Sequence, residues 1–388
     1  MSLFSHAQSP FRLIGKSDAE IQKKREECLR SLFAGDASEE RICFPFEDML
    51  YIVDIGHSDI RSEGMSYGMF IAASLGQYER FVSLWKFSKK FLKNLDGEHA
   101  PYFAWQVGIL GAKGPFPKLD PGAAPDGEEY FAAALLVAWK KFGEKKFRDE
   151  ACELLDAMAH KKTVGSVRAM FSPENFLVRF SPVARNDFTD PSYHTLAFYR
   201  LFAKETGDAF WESAYRQSLA FLKRAIHPET GLAPDYAEFD GSPKHTEFFP
   251  TSECFSGDAW RVALNLSLDF TWEIPGVCEA VRKDAKRFER ESVRKLLRFF
   301  ESRSSYKADY RTDGSEYPKH PRPVTPGLSA MNAAATVALD LSDPQDMALA
   351  KPFLSAFWKT PVPRGKWRYY DGMLYTLGLL ALSGTDIQ

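Results

Sequence analysis

Four short stretches set a carboxylate beside small residues and an aromatic where a helix is predicted to start. They are Arg61–Ser62–Glu63–Gly64 with Tyr67 one turn on; Ala124 to Phe131 around Asp126; Asp190–Pro191–Ser192–Tyr193–His194; and Ser256 to Arg261 around Asp258. The helix dipole alone accounts for any one of them, since it favours a first-turn acid by ~0.3–1 kcal/mol. Four such sites, three with a flanking glycine, point to chemistry as well. Paired carboxyls over an aromatic-lined cleft are what glycosidic bond cleavage needs. One carboxyl stays protonated and donates to the leaving oxygen; the other stays ionised and draws a proton from water, or attacks directly. Burial against apolar walls raises the first, and polar hydrogen bonding keeps the second charged. Aromatic rings offer platforms for the apolar faces of sugars. The candidates are Tyr102, Trp105, Tyr130, Tyr193, Trp260 and the Tyr369–Tyr370 pair, each of which would serve equally as core.

The elements that must position these groups are helical. Ser17–Asp18–Ala19–Glu20 is a capping-box pattern, and further helical stretches begin near Ser62, Gln77, Asp126, Phe147, Asp190, Asp208, Gly257, Val277, Thr325, Asp346 and Tyr370. That makes about twelve helices, joined by Pro/Gly-rich segments such as HPETGLAPDY and YPKHPRPVTPG. Strand-like alternation is confined to Val178–Phe180. No low-complexity linker breaks the chain, so residues 1–388 read as a single all-α domain. Periodicity leaves open a helical bundle or a barrel of helix pairs. In such a barrel the four junctions would face one end and line one cleft.

Composition excludes several classes. Lys plus Arg (50) balances Asp plus Glu (52), and no basic run suggests nucleic acid. No apolar run approaches the roughly 18 residues of a membrane span. Five scattered cysteines without a CxxC argue against a disulfide framework or a zinc site. The N-terminus has no secretory pattern, so a cytoplasmic location is expected. No HxxxH or Asp-rich loop suggests a metal, and no cofactor is expected.

The blocks RSEGMSYGM, APDGEEYFA, DPSYH, HPETGLAPDY, SGDAWRVA and RYYDGMLY together resemble glycoside hydrolase family 8, in the family's order, from about Asp18 to Gly384. The likeness is greatest to reducing-end xylose-releasing exo-oligoxylanases. The resemblance implies an (α/α)6 barrel and an inverting mechanism on xylo-oligosaccharides. It implies Glu63 as general acid, Asp258 as general base, Asp126 as the acid bonded to the distorted sugar, and Tyr193 beside the catalytic water. It also implies that His320, in the stiff YPKHPRPVTPG loop, blocks the cleft beyond one leaving-group sugar. Within that frame Gly64 and Gly68 would let a sugar or a neighbouring helix approach the backbone. Glu63 would be held by Arg61 or Tyr67. A helix start and an arginine both lower a carboxyl pKa, so Glu63 is expected to become a competent acid only once substrate excludes water. The alternatives are an endo-acting xylanase, glucanase or chitosanase, the last kept open by the Glu128–Glu129 pair, and a non-hydrolytic carbohydrate-binding or epimerase-like barrel. The sequence leaves the oligomeric state unread.

Overall fold

A computed structural model describes residues 9–109, 116–317 and 321–384. Among the described residues it contains twelve α-helices: α1 (Asp18–Ala34), α2 (Ser62–Ser74), α3 (Tyr78–Phe87), α4 (Pro125–Phe142), α5 (Lys145–His160), α6 (Leu196–Thr206), α7 (Ala209–Ala225), α8 (Trp260–Thr271), α9 (Glu279–Glu301), α10 (Pro326–Ala335), α11 (Pro344–Lys359) and α12 (Arg368–Leu382). The even-numbered helices pack in sequence, α2 on α4, then α6, α8, α10, α12 and back to α2, closing a ring. The odd-numbered helices lie outside it, each against the inner helix that follows or precedes it in the chain, with α1 covering α12. This is an (α/α)6 barrel. Inner helices are buried on all sides, as their apolar composition requires. In α4 every residue from Pro125 to Ala138 is buried, and in α2 every residue except Glu63.

Small residues let the inner helices meet. A Cβ at Gly127 would lie 2.5 Å from Ser62 Oγ, and one at Gly378 would lie 2.9 Å from the Ala330 carbonyl. The outer layer is fastened through a buried ion network. Arg200 of α6 donates to Asp269 of α8 at 2.7 Å, and Tyr215 of α7 and Arg282 of α9 reach the other Asp269 oxygen at 2.9 and 3.0 Å.

The caps at Ser17, Asp208 and Thr325 form as the sequence suggests. Two of the junctions differ. Asp190 caps a 3-10 turn over Pro191–Tyr193, and α6 begins only at Leu196. Asp258 precedes α8 by two residues and lies in a turn. Five short strands also form among the described residues: β1 (Cys43–Phe46) pairs with β2 (Met49–Ile52), and β4 (Gln106–Gly108) lies between β3 (Asp59–Arg61) and β5 (Lys118–Asp120). Strands of three or four residues are too short to display alternation, so the sequence pattern gave no sign of them. Val178, expected in a strand, makes only an isolated bridge to Phe171. No helix among the described residues is long and apolar enough to cross a membrane.

Candidate active site

The N-terminal ends of α2, α4 and α8 and the turn before α6 open at one end of the barrel. There a cleft of about 1220 Å³ is lined by Arg61, Glu63, Trp105, Asp126, Tyr193, Asp258 and Arg261, with Phe180, Tyr236, Phe248 and Phe249 along one wall. Positions 63 and 258, far apart in the chain, face the same space.

Arg261 holds them together. It stands three residues after Asp258, so its side chain folds back over its own turn, and Nη2 lies 2.9 Å from Asp258 Oδ1. Nη1 donates to Asp126 Oδ2 at 2.6 Å, to the Tyr67 hydroxyl at 2.9 Å and to Glu63 Oε2 at 3.3 Å. Asp190 Oδ2 lies 3.5 Å from Nη2. One buried guanidinium therefore serves four carboxyls. It also lies over the Tyr193 ring, 5.6 Å from its centroid.

Glu63 has a second partner. Tyr369, at the start of α12, donates its hydroxyl to Oε1 at 2.8 Å. Gly64 makes room for this contact: a Cβ there would sit 2.6 Å from the Tyr369 hydroxyl. Gly68 likewise accommodates Ile52. The two glycines thus admit protein side chains at these points. Arg61, at the end of β3, pairs with Asp59 (3.1 Å) and Asp54 (3.2 Å) and acts on Glu63 only through its charge. So Tyr369 and Arg261 hold the acid, where Arg61 or Tyr67 was expected. Burial lifts the Glu63 pKa from 4.5 to about 7; Arg261 opposes the rise and Asp126 reinforces it. Desolvation by the protein itself therefore already outweighs the arginine and the helix start, without waiting for substrate. Asp126 is also raised by burial, against Arg261. Its Oδ1 accepts the Gly127 amide at 2.8 Å.

Of the aromatic candidates, Trp105 and Tyr193 line the cleft. Arg61 lies over the Trp105 ring, 5.7 Å from its centroid. Tyr102, Tyr130 and Trp260 are buried and do not line it, which corrects their assignment as platforms. Tyr102 donates to the Ala157 carbonyl at 2.8 Å, Trp260 donates to the Ala308 carbonyl at 3.0 Å, and Tyr130 packs on Tyr67. Tyr369 acts on Glu63, and half-buried Tyr370 donates to the Gly257 carbonyl at 2.7 Å, beside Asp258. Glu128 and Glu129 are fully buried: one accepts the Phe103 amide, the other the hydroxyls of Thr195 and Tyr199. They add no charge to the cleft. His320 lies outside the described residues. Two residues on, Arg322 binds Asp309 and Ser256 and lies over Trp260, 5.1 Å from its ring centroid.

In the sequence Asp190 reads only as a helix-start acid and Arg261 only as part of its junction, neither with a role, while Asp235 and the Phe180–Tyr236–Phe248–Phe249 wall are not singled out. The (i, i+3) spacing of Asp258 and Arg261 was the available signal. The phenylalanines carried none, since wall and core use the same residue.

A helical barrel with buried, unequal carboxyls at the mouth of an aromatic cleft defines a carbohydrate-cleaving class. The model of glycosyl hydrolases family 8 matches residues 55–287. The chain is 36% identical over 384 residues to a reducing-end xylose-releasing exo-oligoxylanase of Paenibacillus barcinonensis, covering 96% of this chain and 94% of that one. It is equally 36% identical over 386 residues to a reducing-end xylose-releasing exo-oligoxylanase of Halalkalibacterium halodurans, covering 96% and 92%. The structure superposes with a TM-score of 0.86 on a family 8 xylobiose complex from Teredinibacter turnerae, at 33% identity over 97% of this chain and 96% of that one. The chain belongs to glycoside hydrolase family 8, and it is a glycoside hydrolase.

Proposed function

We propose that this enzyme releases xylose from the reducing end of short β-1,4-xylo-oligosaccharides with inversion, Glu63 being the general acid and Asp258 the general base. The observation that carries this reading is the pair of carboxyls on opposite nitrogens of Arg261, one raised to about 7 and the other, 29% exposed, open to the cleft. Inversion calls for ~6.5–9.5 Å between the carboxyls, enough to seat a water, against ~5–5.5 Å for retention, and acids held on different nitrogens of one guanidinium can stand at the wider spacing.

Tyr369 donates to Glu63 Oε1 at 2.8 Å and Arg261 to Oε2 at 3.3 Å, so the acidic proton belongs on Oε2, the more weakly hydrogen-bonded oxygen. As the glycosidic bond breaks, that proton passes to the leaving oxygen. Asp258 takes a proton from the water that attacks the anomeric carbon from the opposite face. The products are xylose and a shortened oligosaccharide with an inverted anomeric centre. Afterwards Asp258 holds a proton and Glu63 lacks one, and exchange with solvent resets both. Asp126 and Arg261 receive hydroxyls of the sugar next to the scissile bond, Tyr193 flanks the water, and Trp105, Phe248 and Phe249 bear the sugar faces.

Exo action is supported by the two exo-oligoxylanase relatives and by Arg322, which ties the end of the His320 loop to Ser256, two residues from Asp258. Endo action on xylan is the second reading, favoured by the likeness to a Teredinibacter turnerae xylanase solved with xylohexaose. Proton NMR of xylotriose digestion tests the mechanism: the new reducing end, that of xylobiose, should appear first as the α anomer, and its first appearance as β would overturn inversion, while the released xylose keeps the anomeric form it had in the substrate. Reducing-end-labelled xylohexaose tests the mode. Labelled xylose should be the sole early labelled product, and labelled xylobiose or xylotriose would favour the endo reading.

A further inference from the structure

The HPETGLAPDY segment contributes a buried acid that the mechanism above does not use. Asp235 is fully buried, on a loop between α7 and α8. Its Oδ1 accepts the amide of Ala259, the residue after Asp258, at 2.8 Å. Ala259 is the cap residue of α8 and has no side-chain capping bond of its own. Asp235 therefore does from 24 residues away what the acid of a capping box does locally. Its backbone is fixed to the same segment. The Asp235 amide donates to the Cys254 carbonyl at 2.8 Å, and the Tyr236 amide to the Ser252 carbonyl at 2.7 Å. From the other side Tyr370 holds the Gly257 carbonyl. The turn carrying Asp258 is thus pinned on both flanks.

We propose that Asp235 is the positioning residue of the general base, fixing the turn that aims Asp258 into the cleft and doing so as a neutral carboxylic acid. This deepens the assignment of Asp258 as base and rests on it. Neutrality follows from what surrounds the group. Asp235 Oδ2 is buried with no hydrogen-bond partner among the described residues, and no cation there forms an ion pair with Asp235. The titratable groups facing it are Asp258, Asp190, Cys254, Tyr236, Tyr370 and Arg322. Arg322, the one cation among them, is committed to Asp309 at 2.5–3.2 Å. A bare carboxylate placed there would stand among acids with no compensation. Burial and Asp258 both push the Asp235 pKa well up, in agreement with the geometry.

The test compares Asp235→Asn, Asp235→Ala and Asp258→Asn on xylotriose, with pH profiles and thermal unfolding. Asparagine reproduces a protonated aspartic acid in shape and keeps the acceptor for Ala259. Asp235→Asn should stay within about tenfold of the parent in kcat, with the acid limb of the profile unmoved. Asp235→Ala should lose about 10²-fold in kcat with KM little changed, the cost of a misaimed base. Asp258→Asn should lose ~10²–10⁴-fold. Loss in Asp235→Asn equal to that in Asp258→Asn would overturn the neutral role, and full activity in Asp235→Ala would overturn positioning. If the alanine variant does not fold, the asparagine variant decides alone. An active Asp258→Asn would instead sink the base assignment itself.

Discussion

Glu63→Gln should change how stability responds to pH, by an amount the structure allows to be worked out. Glu63 is 16% exposed, and burial raises its pKa from 4.5 to about 7. Between these values the folded protein keeps a proton that the unfolded chain has released. Linkage then makes stability fall as pH rises through that window. The loss begins near pH 4.5 and is complete above about pH 7. At 1.36 kcal/mol per pH unit it totals roughly 3 kcal/mol. Glutamine mimics the protonated acid and does not titrate, so the variant escapes this loss. Any fixed cost of facing an amide nitrogen to Arg261 is the same at every pH and cancels in the comparison. For 388 residues the unfolding entropy is roughly 0.8 kcal/mol/K, so the difference in Tm between variant and parent should grow by about 4 °C from pH 4.5 to pH 8. Calorimetry or fluorescence melting over this range measures it directly, and needs no activity from the variant. Parallel Tm curves would refute the reasoning, because they would mean that Glu63 ionises as an ordinary surface acid.

Tyr369→Phe removes a hydrogen bond that favours the Glu63 carboxylate, so the alkaline limb of kcat/KM should move to higher pH; an unmoved limb would show the contact to be idle. Gly64→Ala forces a methyl to 2.6 Å from the Tyr369 hydroxyl and should cost about 1–3 kcal/mol in urea unfolding, together with activity. Phe248 is 63% exposed on the cleft wall, so Phe248→Ala should raise KM roughly 2–10-fold and leave Tm nearly unchanged. Arg200→Met leaves Asp269 short of a buried partner and should destabilise by ~3–5 kcal/mol, with kcat per folded molecule preserved.

How legible the site was in the sequence depends on the residue. Glu63, Asp126, Tyr193 and Asp258 could be singled out because acids beside glycine or proline at helix starts are local signals, and the fold brings those four positions to one cleft. The aromatic platforms could not be sorted. Tyr102 and Trp105 are three residues apart in one segment, yet one is core and the other faces the cleft. Only the packing of α5 and of the loop at Arg168 against Tyr102 decides which. Arg261 reads as an ordinary surface residue of a helix start, since nothing local shows that three other elements deliver acids to it. Asp235 reads as a turn former after proline, and its bond to Ala259 is a tertiary fact.

In the proposed mechanism Arg261 also lets the two acids play opposite parts. Five carboxyls crowd this end of the barrel, those of Glu63, Asp126, Asp190, Asp235 and Asp258, around a single fully buried arginine. Its shortest contacts go to Asp126 at 2.6 Å and Asp258 at 2.9 Å; Glu63 and Asp190 stand at 3.3 and 3.5 Å, and Asp235 makes none. Charge pairing is strongest where contact is closest, so Arg261 opposes burial most directly at Asp126, which burial nonetheless raises, and less directly at Glu63, Asp190 and Asp235, which burial also raises. Asp190 and Asp235 are sealed off at 0% exposure, whereas Glu63 reaches the cleft. Of the acids pushed toward the neutral form without a close arginine contact, Glu63 is therefore the one a substrate can touch. Removing the guanidinium, as in Arg261→Met, would abolish this ranking rather than merely weaken binding. It should cost kcat far more than KM, and a KM effect alone would show that Arg261 only grips the sugar.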